Sequence, residues 1–160
     1  MRKPFILVVD DNKITTKLLR RYLEANGFDA KEAYDGIDCL EKLEEQLPDA
    51  VVLDVMMPRM DGYETVKRIK EQAHTKHIPV VIVTALNDVA NQLKSIEAGA
   101  DDFLSKPIEE KLLIAKVRLL SNLNIHQMDS KNLQNALDKS LKGDYQGKSL
   151  ADVLNELNIS

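Results

Sequence analysis

Val51-Val52-Leu53-Asp54-Val55-Met56-Met57-Pro58-Arg59-Met60-Asp61-Gly62 decides how the rest of the chain is read. Apolar residues run straight into a carboxylate, the pattern of a strand buried on both faces that ends with Asp54 at its carboxyl edge. Pro58 and Gly62 then turn the chain. A strand covered by helices cannot leave a lone charge at its tip, because unpaired buried charge is costly. Asp54 therefore requires a cation, a hydrogen-bond donor or a chemical task.

The same form recurs on either side. Upstream, Phe5-Ile6-Leu7-Val8-Val9 is an apolar run that stops at Asp10-Asp11; downstream, Pro79-Val80-Val81-Ile82-Val83 delivers Thr84 to a strand end. Between these strands the apolar spacing is helical. Ile14, Leu18, Leu19, Tyr22 and Leu23 form one stripe closed by Asn26-Gly27, a left-handed cap signal. Asp29 to Ala33 is short and poorer in apolar residues, as suits an edge strand. Ile37, Leu40 and Leu43 mark a second helix stopped by Pro48, and Tyr63, Val66 and Ile69 a third. A fourth helix is expected from about 89 to 98, ended by Gly99. The strand Asp102-Phe103-Leu104 then leads to Lys106-Pro107. A fifth helix is expected from about 109 to 122, with Leu112, Leu113, Val117 and Leu120 inward. Strands alternating with helices, without hairpin signals, predict an α/β fold: a doubly wound five-stranded parallel sheet of flavodoxin-like order 2-1-3-4-5, helices on both faces.

Composition bounds the function. At 160 residues, 44% hydrophobic and 30% charged, the chain has the make-up of a soluble globular protein, and no apolar run approaches the ~20 residues of a membrane span. The amino terminus enters a strand without a secretory leader pattern, so the cytoplasm is the expected location and no membrane partner is expected. A net charge of −4 argues against direct nucleic-acid binding, which rests on clustered Lys and Arg. Cys39, the only cysteine, sits between Ile37 and Leu40 in a helical pattern and reads as a buried small residue.

Ligands of open α/β sheets collect outside the carboxyl ends of the strands. Asp10, Asp11, Asp54, Thr84 and Lys106 are all placed there by the pattern. In the order 2-1-3-4-5 the first and third strands are neighbours, so three carboxylates meet and repel. A hard divalent cation such as Mg2+ relieves that repulsion. Carboxylates, ammonium and hydroxyl together suit phosphoryl transfer, with Asp54 able to act as a nucleophile that forms an acyl phosphate. Any one of these residues alone would read as a strand-end cap or a surface ion pair.

The pieces Val8-Val9-Asp10-Asp11-Asn12, Leu53 to Gly62, Val83-Thr84-Ala85 and Gly99 to Pro107 occur in an order that resembles the response-regulator receiver domains of two-component signalling. The resemblance covers about residues 1–122. It implies a phosphoprotein in which Asp54 is the phosphoacceptor, Asp11 a direct Mg2+ ligand, Asp10 a second acidic residue holding the metal partly through water, and the Met56 carbonyl a backbone ligand. Thr84 and Lys106 would contact the phosphoryl oxygens, and the Lys106-Pro107 bond would be cis. It further implies a switch in which Thr84 moves toward the phosphoryl group and Phe103 turns inward. The family often has Tyr at this place; Phe lacks the hydroxyl, so packing alone is expected to bias the switch. Met56 and Leu86, two residues beyond Asp54 and Thr84, are apolar and are expected to slow hydrolysis of the acyl phosphate.

The resemblance implies a cytoplasmic phosphorelay regulator rather than an enzyme with its own substrate. Its phosphate would come from a sensor histidine kinase or histidine phosphotransfer protein, and its altered helix-four, strand-five and helix-five surface would signal to a downstream protein. A homodimer is left open. The rival is a Mg2+-dependent phosphohydrolase with an Asp nucleophile, acting on small molecules. Such enzymes usually carry a general acid two residues past the nucleophile, and Met56 cannot donate a proton.

Other signals carry less. His74 and His77 lack a third metal ligand nearby and read as solvated loop residues. Asp101 and Asp102 read as structural or interfacial, and no Gly-rich phosphate loop is present. Residues 123–160 form a second region, read as a helical hairpin: Leu133, Leu137 and Leu141, then a turn at 143–147, then a stripe of Leu150, Val153, Leu154 and Leu157. These stripes could pack on the first region, extend the fifth helix, or face a partner.

Overall fold

The computed structural model describes the backbone of residues 2–85 and 88–141, and the side chains of residues 2–85 and 88–125. Strands β1 (Phe5–Val9), β2 (Asp29–Ala33), β3 (Ala50–Asp54), β4 (Val80–Thr84) and β5 (Asp102–Ser105) form one sheet of order β2-β1-β3-β4-β5. Every pairing is parallel. Helices α1 (Lys13–Ala25), α2 (Gly36–Glu45), α3 (Gly62–Glu71), α4 (Val89–Ala98) and α5 (Glu110–Leu141) alternate with the strands.

The strands β1, β3 and β4 are buried throughout because each of their faces meets a helical layer. Side chains alternate across a strand. Leu7, Val9, Leu53 and Ile82 accordingly join Leu43, Val66 and Ile69 of α2 and α3 on one side. Ile6, Val8, Val52 and Val81 join Leu19 and Leu23 of α1 and Leu113 and Val117 of α5 on the other. Each fully buried aliphatic side chain contributes about 1.5–3 kcal/mol. That apolar sandwich is the rigid support for the charged groups at its carboxyl edge.

Helix starts follow from caps. Asn12 accepts from Ile14 N and Thr15 N, Asp35 from Asp38 N, Asp61 from Glu64 N and Asp88 from Asn91 N. An Asn or Asp at this position satisfies donors that the first turn leaves open. Gly99 closes α4 in the left-handed conformation at φ 105°.

Three helical expectations are corrected. The inward stripe of α5 is Leu113, Ile114, Val117, Ser121 and Asn124, whereas Leu112 is exposed. One residue is 100° of helical turn, so Leu112 cannot share the face of Leu113 and Val117. On α1, likewise, Thr16, Leu19 and Leu23 face inward while Ile14 is 79% exposed. The fifth helix also does not stop near residue 122. It continues to Leu141, and no glycine or proline stands between Glu110 and Lys142 to end it. The first half of the expected hairpin is thus a continuation of α5. Its second half, with the stripe from Leu150 to Leu157, lies outside the described residues. The chain divides into two units at the Asn124–Ile125 step, and the first holds the whole sheet.

Candidate functional site

Parallel register brings the strand ends level. Val9 stands opposite Leu53, so Asp10, the next residue, comes beside Asp54. Asp54 pairs with Val83, and Thr84 with Ser105. Four strands therefore deliver Asp10-Asp11, Asp54, Thr84 and Lys106 to one edge. The carboxylates of Asp10, Asp11 and Asp54 have oxygens within 4.8 Å of one another. Asp10, Asp54 and Thr84 are buried, at 3%, 4% and 3% exposure, while Asp11 is exposed.

Lys106 reaches this cluster. Its Nζ lies 2.9 Å from Asp54 Oδ1 and 3.7 Å from Asp10 Oδ2. The Lys106-Pro107 peptide is cis. Lys106 N donates to Thr84 O at 2.9 Å, so the backbones of β4 and the lysine turn are joined.

Three carboxylates against one ammonium leave a formal excess of two negative charges (three minus one) in a largely buried place. The protonation tendencies follow. Burial pushes the Asp10 carboxyl above its ordinary range, and nearby Asp54 adds to this, against the Asn12 N–H and Lys106. Burial likewise raises Asp54, with Asp11 adding, although Lys106 and the backbone of Met56 favour its ionised form. Burial alone would lower Lys106, but Asp54 and Asp10 outweigh it and raise the ammonium pKa. Lys106 gains from a pairing that satisfies Asp54 only in part, because one cation is shared between Asp54 and Asp10 while Asp11 adds further negative charge. An all-oxygen donor set with two charges uncompensated fits a hard divalent cation.

The loop after β3 is folded tightly onto the site. Gly62 N donates to Val55 O at 2.9 Å. A Cβ on Gly62 would come 2.5 Å from Asp54 O and 2.8 Å from Val55 Cα, so only glycine permits this approach. Met56, two residues beyond Asp54, is 71% exposed at the rim; Leu86 lies outside the described residues.

Phe103 is half-buried on β5. Lys116 of α5 places its Nζ 5.3 Å from the ring centroid, donates to Phe103 O at 2.8 Å and pairs with Asp102 at 3.0 Å. A cation–π contact thus joins packing at this aromatic, which the missing hydroxyl gave no reason to expect. Asp102 and Asp101 both have structural partners: Asp101 accepts from Val80 N at 2.8 Å and pairs with Lys70 at 2.9 Å.

Two supporting groups were not singled out from sequence. Asn12 donates its N–H to Asp10 Oδ1 at 2.9 Å while its side chain caps α1, so one residue fixes both carboxylate and helix. Its signal was an Asn directly before a helical stripe. Arg59, the other, bonds Asp35 at the start of α2. His74 is exposed and pairs with Glu44 at 2.8 Å. Cys39 is fully buried, and burial pushes its thiol up to about 12.

The match to known proteins agrees with this geometry. The response regulator receiver domain family model covers residues 6–118, and the chain belongs to that family. It is a phosphorelay signalling domain of the two-component type. The response regulator PleD of Caulobacter vibrioides is 42% identical over 120 residues, 75% of this chain and 26% of PleD. The chain thus spans about a quarter of that relative's length. A response regulator receiver domain from Francisella superposes with a TM-score of 0.71 at 33% identity, covering 75% of this chain and 98% of that one. The receiver domain of a sensor histidine kinase from Pseudomonas aeruginosa PAO1 superposes at 0.70 with 26% identity, over 75% and 98%, and is described with a magnesium ion coordinated in its active-site cleft. Among the described residues, no helix is long and apolar enough to cross a membrane.

Proposed function

We propose that Asp54 accepts a phosphoryl group from a phosphohistidine of a sensor kinase or phosphotransfer protein, with Mg2+ held by Asp10, Asp11, Asp54 and the Met56 carbonyl. The observation that carries this reading is the meeting of three carboxylates within 4.8 Å beside an ammonium 2.9 Å from Asp54. The magnesium ion described in the Pseudomonas relative's cleft supports the choice of metal. When bound, Mg2+ would neutralise charge on the phosphoryl oxygens.

An ionised Asp54 oxygen attacks phosphorus in line. The P–N bond breaks, its electron pair leaves with the imidazole nitrogen, and an acyl phosphate forms on Asp54. Lys106, freed from its pairing with Asp54, meets an oxygen of the transferred group, and Thr84 meets another. The movement of Thr84 lets Phe103 turn inward, against its Lys116 contact, and so alters the surface of α4, β5 and α5 for a downstream protein. Met56, exposed at the rim, presents no polar group to orient a water, and Leu86 has none in its side chain, which prolongs the acyl phosphate.

The receiver region, residues 1–122, passes this change on, and residues 123–160 act as its tail. A phosphorylation-dependent homodimer would use apolar contacts, since Lys116 and Arg118 already serve Asp102, Phe103 and Asn26 within the chain. The test is phosphotransfer profiling with purified, phosphorylated histidine proteins of the source organism. Label should move to this chain from at least one of them with Mg2+ present, and chelation should stop it; transfer at full rate without a divalent cation would contradict the reading.

A further inference from the structure

The loop that carries Met56 contains a backbone feature the mechanism has not used. Arg59 has φ 67°, and it is the only non-glycine residue with positive φ among the described residues. A bulky side chain seldom adopts that conformation unless its surroundings fix it. Here the surroundings are at the start of α2. Arg59 Nε donates to Asp35 Oδ2 at 3.1 Å, and a second guanidinium nitrogen donates to the same oxygen. Asp35 is only 13% exposed, and its other oxygen accepts from Asp38 N at 2.7 Å as the cap of α2. Burial alone would raise the Asp35 carboxyl, yet the Asp38 N–H and the Arg59 guanidinium together hold it below the ordinary value.

The neighbouring residue is seated against the same element. A Cβ on Gly36 would lie 3.0 Å from Met60 Cβ and would overlap Thr65 Oγ1, so α2 and the loop meet without space between them. The loop's ends are tied by Gly62 N to Val55 O at 2.9 Å, and its middle is drawn in by Met60 N to Pro58 O at 2.7 Å. What remains to be fixed is the segment from Met56 to Arg59, which runs between the metal cluster and the Asp35 contact.

We propose that the Arg59–Asp35 pair is a buckle that holds this loop so that the Met56 backbone faces the carboxylate cluster, making Arg59 a positioning residue for Mg2+. The inference rests on the metal set proposed above. Groups that orient metal ligands from behind are worth about 10–100-fold in affinity when removed. Asp35→Asn is the cleanest probe, because Asn caps a helix about as well as Asp, while its amide nitrogen in place of Oδ2 cannot accept from Arg59.

Mg2+ affinity of the full chain is measured by titration calorimetry for wild type, Asp11→Ala, Arg59→Ala, Asp35→Asn, the Arg59→Ala/Asp35→Asn double variant and Arg59→Lys, with thermal melts of each without metal. Arg59→Ala and Asp35→Asn should each weaken Mg2+ about tenfold, the double variant no further, and Arg59→Lys should recover most of the loss. Asp35→Asn should melt with the wild type, and labelling of Arg59→Ala by acetyl phosphate should return to the wild-type rate at saturating Mg2+. Wild-type affinity in both single variants, while Asp11→Ala binds weakly, overturns the buckle and leaves the metal set standing. Losses that multiply in the double variant also overturn it, since two members of one contact cannot act independently. If Asp11→Ala binds as well as wild type, the metal set is wrong and the buckle falls with it.

Discussion

At the carboxyl edge of the sheet, Asp10 and Asp54 are ionisable groups held in the interior; on the outer faces of α4 and α5, Val89, Ile96 and Leu119 are apolar groups held in water at 60–70% exposure. Each region departs from the ordinary sorting of side chains, in opposite senses. Most of the rest of the domain keeps to it, with aliphatic strands inside and capped, charged helix faces outside; exposed Ile14 on α1 and buried Asp49, paired with Arg2, are exceptions. Departures of this kind collect where a protein acts rather than where it merely folds. Helix α4 shows it within ten residues: its buried positions are the small Ser95 and Ala98, while Val89, Leu93 and Ile96 lie outward. The buried charge is a place for chemistry and the exposed apolar face a place for contact, and β5 with Phe103 lies between α4 and α5 in sequence.

The comparison breaks most easily through stability. Leu113→Ala, in the core beneath the site, should cost about 2–5 kcal/mol, whereas Ile96→Ala and Leu119→Ala should each change stability by about 0.5 kcal/mol or less. Urea unfolding of the three variants measures this; a core-sized loss at Ile96 would mean that the outer face holds the fold together. Next in size is the cation. Asp11→Ala should weaken Mg2+ binding by at least about tenfold in calorimetry, by removing an oxygen ligand from a set of three carboxylates. Equal affinity would place the metal elsewhere.

A smaller effect is expected at the rim. Met56→Asn puts a polar group where a water could be oriented, and should shorten the acyl-phosphate lifetime a few-fold, read by loss of label from the purified phosphoprotein. An unchanged decay in Met56→Asn would remove this residue from control of hydrolysis. The smallest concerns pH in the absence of metal. Asp10 has its pKa raised, chiefly by burial, so the folded chain holds its proton to higher pH than the unfolded chain does. Stability is then lost as pH rises from the unfolded aspartate range, ~3.9, through the folded value. Asp10→Asn, which keeps an oxygen to accept from Asn12 N, should melt above wild type at pH 7, with the gap closing below the unfolded value. Saturating Mg2+ should reverse the order. A variant that melts lower than wild type at pH 7 without metal would show that Asp10 is stabilising as a carboxylate.

Much of this was legible in the sequence because strand ends and caps are local. The apolar runs ending at Asp10, Asp54 and Thr84 specify both sheet and site, and Gly99 marks the end of α4 by its left-handed conformation. What was not legible depends on side chains that meet from distant parts of the chain. Nothing near Arg59 announces Asp35, twenty-four residues earlier, and nothing near Phe103 announces Lys116. The orientation of Leu112 and Ile14 was missed for a different reason. Apolar spacing shows that a face exists, but two adjacent stripes on one helix cannot be told apart until the sheet selects one. The run of α5 past residue 122 was one of the alternatives the sequence left open, since no helix breaker stands between Glu110 and Lys142 to choose among them.

The role of Asp54 is tested most directly by intact-mass measurement after incubation with acetyl phosphate and Mg2+, comparing wild type with Asp54→Asn. The amide keeps the shape of the side chain but removes the nucleophilic oxygen. Wild type should gain one hydroxylamine-sensitive phosphoryl group and Asp54→Asn none, with both chains folded by circular dichroism. A stoichiometric, hydroxylamine-sensitive phosphate on Asp54→Asn would contradict the assignment.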